Sequence, residues 1–236
     1  MDSDNLQEAL CSHEYQYLTC LSLEVHALTR ADLRPDPEHD ALVAVFYHIT
    51  DDVPENWVRP RESTGCIVVD AASVVAESAG SRRHLFGSAG HPGVQVRYVA
   101  DEHCLLDAVV ELVATADPDI LLGWEVQQLS WGYVLERAEC LGRPLTAALS
   151  RLPLSERASR AAAESDLYGS EHTSEIHLAG RIVLNVWRLL RPEVALYSYT
   201  FENIAYHVLH QRVPEFSFRQ LTEWWRHPSP VNSEVY

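Results

Sequence analysis

The chain has 236 residues, 47% of them hydrophobic, enough to bury a full core, and a single large domain is expected. Thirty-four acidic residues oppose eighteen basic ones for a formal net charge of −16, and every basic residue is arginine, so a general electrostatic grip on phosphates is not expected, local arginine patches apart. The five cysteines (Cys11, Cys20, Cys66, Cys104, Cys140) form no Cys-x-x-Cys pair, which argues against a zinc site or disulfide framework and for a reducing compartment. With no run of about 18 apolar residues and no basic-then-apolar leader, neither a membrane span nor a secretory signal is predicted.

Residues 1–16 are polar, acidic and aperiodic, and are expected to form a tail or lead-in. In Thr19-Cys-Leu-Ser-Leu-Glu-Val-His26, Leu21, Leu23 and Val25 alternate with Ser22, Glu24 and His26, the pattern of a strand with one apolar and one polar face. Ser22 and Glu24 then point the same way, roughly 6–7 Å apart. Thr29 to Pro37 reads as a proline-bounded loop. Leu42 to Ile49 and Cys66 to Val69 are β-rich runs expected to neighbour the first strand. Ala79 to Gly93 reads as a loop, followed by a strand through Val94, Val96 and Tyr98.

The period then changes. Asp101 caps a helix with Leu105, Val109, Leu112 and Val113 on one face, ending at Asp117-Pro118. Ile120-Leu-Leu122 is a short buried strand, and Ser130 is expected to N-cap a helix carrying Trp131, Val134, Leu135 and Ala138. Residues 143–180, rich in Ala, Ser, Glu and Arg, are read as an exposed insertion. Ile182 to Val186 is a strand, and Thr200 caps a helix with Phe201, Ile204, Ala205, Val208 and Leu209 at helical spacing. The order predicts an α/β fold, a mixed β-sheet flanked by helices, with a domain over 17–226 and a tail over 227–236.

Several stretches carry a resemblance. Asp117-Pro-Asp-Ile-Leu-Leu-Gly-Trp-Glu-Val-Gln-Gln-Leu-Ser-Trp-Gly-Tyr-Val-Leu-Glu-Arg-Ala138 is similar to the second exonuclease motif of family B DNA polymerases, and Leu21 to Val25 resembles their first motif, Asp-hydrophobic-Glu on a central strand. Thr29-Arg30 through Asp36-Pro37, Tyr168-Gly-Ser, Gly180 through Arg188 and Tyr199-Thr-Phe-Glu-Asn through Arg212 are closer still to the zeta type within that family. The resemblance runs from about Tyr17 to Trp225. It implies a ribonuclease H-like, DnaQ-like 3′–5′ exonuclease fold, and for the zeta type a proofreading domain that has lost activity.

The family's exonuclease sets carboxylates from three motifs around two divalent ions. Carried over residue by residue, the first motif's Asp falls on Ser22, its Glu on Glu24, and the second motif's Asp on Ser130. The third motif, a Tyr-x-x-x-Asp helix, does not occur before Tyr236, so the chain is expected to be a fragment. Ser22, Glu24 and Ser130 are therefore vestigial positions, with no cofactor expected. Glu24 is read as a hydrogen-bonded or solvated relic in an open groove, and is the one weak metal candidate. The alternative is an active Mg²⁺-dependent exonuclease rearranged around Glu24, with Glu125 and Asp70 as compensating carboxylates. A free-standing protein-interaction fragment is a third reading. His26 is read as a half-buried strand residue, and Trp224-Trp225 as a pair packing against a missing domain. No aromatic-Asp-Thr-Asp palm motif is present, so polymerisation by this chain is excluded. The resemblance further implies weak DNA contact, mainly in the context of the remaining domains of a catalytic subunit. It implies only indirect association with the accessory subunits of a zeta-type enzyme, no membrane, and a nuclear location.

Overall fold

The computed structural model describes residues 17–53, 61–74, 93–152 and 176–227. Six strands, β1 (Thr19–Ala27), β2 (Leu42–Asp51), β3 (Glu62–Val69), β4 (Val94–Val99), β5 (Ile120–Gly123) and β6 (Ile182–Asn185), form one sheet in the order β4-β3-β2-β1-β5-β6. β1, β2 and β3 pair antiparallel, whereas β3–β4, β1–β5 and β5–β6 pair parallel. The parallel pairs need crossovers, and the described part of each carries a helix. Gly65 on β3 is required by close approach: a Cβ there would meet the Tyr47 hydroxyl at 2.3 Å and the Gln95 carbonyl at 2.7 Å.

The helices are α1 (Ala71–Val74), α2 (Glu102–Ala116), α3 (Trp131–Cys140), α4 (Thr146–Leu149), α5 (Val186–Glu193), α6 (Phe201–Leu209) and α7 (Phe218–Arg226). α2 starts where expected: the Asp101 carboxylate accepts the Cys104 N–H at 2.8 Å. It stops at Asp117, whose left-handed backbone (φ 42°) turns the chain into Pro118. α2 and α3 bury Leu105, Leu106, Val109, Val113, Trp131 and Val134 with Leu21, Leu23, Val45 and Ile67 of the sheet. The alternation of β1 thus divides the molecule, its odd-numbered side chains entering this core and its even-numbered ones facing the opposite way.

Three differences from the expectations have physical causes. Val186 does not end a strand; the Asn185 side chain accepts the Arg188 N–H at 3.1 Å and starts α5 there. α7 forms because Ser217 and Gln220 make a reciprocal capping box, and its Trp225, expected to await a missing domain, is 4% exposed against Val43, Ala44, Cys66 and Val68. Trp224 is half-buried and stands edge-on to Phe216 at 4.9 Å.

Residues 143–180 are not an exposed insertion at their two ends, where Leu145, Leu149 and Leu178 join the main core. Arg151 donates to Asp117 and Asp119 at 2.7 Å each, while the almost fully buried Arg181 bridges the Pro118 and Leu149 carbonyls. The Arg151 N–H donates to Ala179 O at 2.9 Å, so the chain leaves and re-enters at one point. Residues 1–16, most of the expected loop at 79–93, Tyr168-Gly-Ser, and 228–236 lie outside the described residues. No helix among the described residues is long and apolar enough to cross a membrane.

Candidate functional site

The even-numbered side chains of β1 head three rows that cross the sheet. Ser22 aligns with His48, Thr64 and Val94; Glu24 with Phe46, Cys66 and Val96; His26 with Ala44, Val68 and Tyr98. α7 covers the third row: Trp225 stacks obliquely on His26, and the Thr222 hydroxyl accepts the Thr29 N–H at 3.1 Å. The first two rows stay open as a groove of about 370 Å³, floored mainly by apolar atoms and edged by Ser22, Glu24, His48 and Thr64. His26 is buried beside it, 8% exposed.

Each sequence-predicted position can be located. The Ser22 hydroxyl donates to the His48 carbonyl at 3.3 Å and lines the groove. Glu24 Oε1 accepts the Trp124 N–H at 2.6 Å. Burial pushes the Glu24 carboxyl up to about 7, against the pull of that hydrogen bond and with help from the negative charge of Glu125. Ser130 occupies the N-cap position of α3, but its side chain makes no cap, which corrects the expectation. Its hydroxyl instead donates to the Leu23 carbonyl at 2.5 Å, fully buried, in space left by Gly123, where a Cβ would come within 2.2 Å of Ser130 Oγ. Leu129 O accepts the Val25 N–H at 3.1 Å, so the turn after β5 is sewn to β1 along three consecutive residues, Leu23, Glu24 and Val25.

The two compensating carboxylates sit apart from the groove lining. Glu125 is 4.0 Å from Arg34, whose guanidinium also donates to Gln128. Asp70 is 7% exposed and accepts the Ala72 N–H at 3.2 Å at the start of α1. On β3, Cys66 is the residue in register with Glu24. Asp70 is four residues beyond it, roughly 13 Å along the strands and about 10 Å across them. Among the described residues no three His, Cys, Asp or Glu side chains gather as a metal-holding group. A two-ion centre needs carboxylates from several elements, and among the described residues Glu24 is the one carboxylate lining the groove. The Asp-Pro-Asp of the second motif has a structural job here: Asp117 ends α2 and pairs with Arg151 and Arg181, while Asp119 Oδ2 accepts the Thr19 N–H at 2.9 Å.

Two parts of this arrangement escaped sequence reasoning. The Trp124 amide carries no side-chain signal as a partner for Glu24. α7 did carry one, Ser217 with Gln220 three residues on, ahead of Leu221 and the two tryptophans.

The groove on the polar face of β1, beside β5 and the Gly-Trp turn that follows it, lies in a domain with known relatives. The model of the DNA polymerase family B exonuclease domain matches residues 1–204. The chain belongs to this family. Its mixed six-stranded sheet with flanking helices is the ribonuclease H-like form of such an exonuclease domain. Within family B the likeness is to the zeta type. The DNA polymerase zeta catalytic subunits of Mus musculus and Homo sapiens are each 48% identical over 222 residues, covering 94% of this chain and 7% of the relative. That of Drosophila melanogaster is 36% identical over 225 residues, covering 95% of this chain and 10% of the relative. The chain thus spans a tenth or less of the length of these family B relatives.

Proposed function

We propose that this domain is a non-catalytic, exonuclease-like part of a translesion DNA polymerase of the zeta type, bracing the polymerase core near DNA. The single observation that carries the reading is the orientation of Ser130: its hydroxyl is buried as a donor to the β1 backbone and is absent from the groove lining. Hydrolysis by the family's chemistry requires carboxylates that hold two ions against the water and the leaving oxygen. Of the positions that would supply them, Ser22 and Ser130 are hydroxyls and Glu24 already accepts an amide. A site rearranged around Glu24, Glu125 and Asp70 would require Asp70 to leave its place at α1 and cross two strand spacings, about 10 Å, to reach β1.

Mg²⁺ is accordingly given no role in this chain. The relatives' names place them as polymerase catalytic subunits, and this domain's own partners are proposed to be their remaining domains, with DNA met weakly and in that context. Accessory subunits engage it only indirectly, and the setting is nuclear, in replication and repair. The test is a single-strand degradation assay in Mg²⁺ or Mn²⁺. No nucleotide release is expected; metal-dependent release from a 3′ end, abolished by Glu24→Gln, would overturn the reading.

A further inference from the structure

α5 is amphipathic yet has no buried residue, and α6 buries only Ile204 and Ala205 while Phe201, Val208 and Leu209 are 44–61% exposed. Helices so lightly seated depend on their few specific contacts. Trp124 supplies two of them. Its carbonyl accepts the Trp187 N–H of α5 at 3.2 Å, and its indole stands edge-on to Phe201 of α6, with ring centroids 5.1 Å apart. α5 is tied in turn to the segment leading into α6, where the Trp187 indole N–H donates to Tyr199 O at 3.0 Å. Trp124 itself follows Gly123 at the end of β5, and Glu24 is what holds its N–H.

We infer that Glu24 is a positioning residue: by accepting the Trp124 N–H it fixes the turn after β5, and through Trp124 it seats α5 and α6 on the sheet. This rests on the non-catalytic reading and deepens it, because it assigns the carboxylate that remains in the groove a role with no metal. The requirement is for an acceptor oxygen at this point. Glutamine meets it and alanine does not.

The experiment is amide hydrogen exchange, residue by residue, on the purified chain and on Glu24→Gln, Glu24→Ala and Phe201→Leu variants. A hydrogen bond to a carboxylate is among the stronger ones. Its loss in Glu24→Ala should therefore speed exchange at Trp124, Trp187 and residues 201–209 by roughly tenfold or more relative to β2 and β3, with the Gln variant staying near the parent. Phe201→Leu, which leaves Glu24 intact and keeps the protein testable if Glu24→Ala fails to fold, should loosen 201–209 while Trp124 stays protected. In the parent, 10 mM Mg²⁺ should leave Trp124 exchange unchanged. The inference is overturned if Glu24→Ala affects all elements alike, if Glu24→Gln behaves as Glu24→Ala, if Phe201→Leu leaves 201–209 as protected as before, or if Mg²⁺ deprotects Trp124. Nuclease activity is a separate readout, and its appearance would defeat the non-catalytic reading on which the inference stands.

Discussion

The ring of Trp225 stands 5.4 Å from that of His26 at an angle of 50°, so a residue near the far end of the chain closes the His26 end of the first strand's polar face. Trp225→Ala should uncover Ala44 and Val68 and destabilise the protein by about 3–5 kcal/mol, the usual cost of truncating a buried tryptophan. Urea unfolding measures it. A loss below about 1 kcal/mol, the scale of an ordinary surface change, would mean that α7 contributes little to the fold.

The Glu24 carboxyl, raised to about 7 by burial, makes stability fall as pH rises. Between its unfolded value of about 4.3 and 7, the folded state holds a proton that the unfolded state has released, so raising the pH favours unfolding. The penalty is absent below about pH 4 and complete only about one unit above pH 7, and is of order 3–4 kcal/mol. Glu24→Gln keeps the acceptor and lacks the charge. Denaturant midpoints at pH 5 and pH 8 should therefore drop for the parent and hold level for the variant.

Ser130→Ala removes the hydroxyl that satisfies the Leu23 carbonyl in a fully buried place. A cost of about 1–3 kcal/mol is expected. Ser130→Asp should cost more, since a carboxylate there would confront both a carbonyl oxygen and Gly123. The pair Ser22→Asp with Ser130→Asp should melt below the parent in chelator and recover part of the loss in Mg²⁺. The parent should show no Mg²⁺ shift, whereas a site with Kd near 1 mM would gain roughly 1.4 kcal/mol at 10 mM. Thermal melts in EDTA and Mg²⁺ distinguish these cases.

Single-stranded DNA should bind more weakly than about 10 μM at physiological salt. The net charge of −16 works against a polyanion, and several arginines are committed to carboxylates, as in Arg137–Glu102 and Arg151–Asp117. Fluorescence anisotropy reads the affinity, and a submicromolar constant would contradict the expectation.

What the sequence made legible follows from periodicity and caps. The alternation around Leu21 and Leu23 placed β1, and the fall of polar residues on Ser22, Glu24 and His26 located the groove before any coordinates. Asp101 and Thr200 declared their helices because capping is a local interaction. The partners of Glu24 and Ser130 were not legible: each bonds a backbone atom about a hundred residues away, and a backbone amide or carbonyl looks the same at every position in a sequence. Ser130 shows the ambiguity well, since a serine before a helix reads as a cap until a strand carbonyl turns its hydroxyl away from the helix N–H groups. The ends of the 143–180 stretch differ from the expectation because a polar composition hid three core leucines, Leu145 and Leu149 at one end and Leu178 at the other.

The meeting of Arg151 with Ala179 makes this stretch a natural splice point. Since Arg151 and Ala179 stand side by side, residues added between 152 and 176 would leave both ends of the connection anchored at the same point.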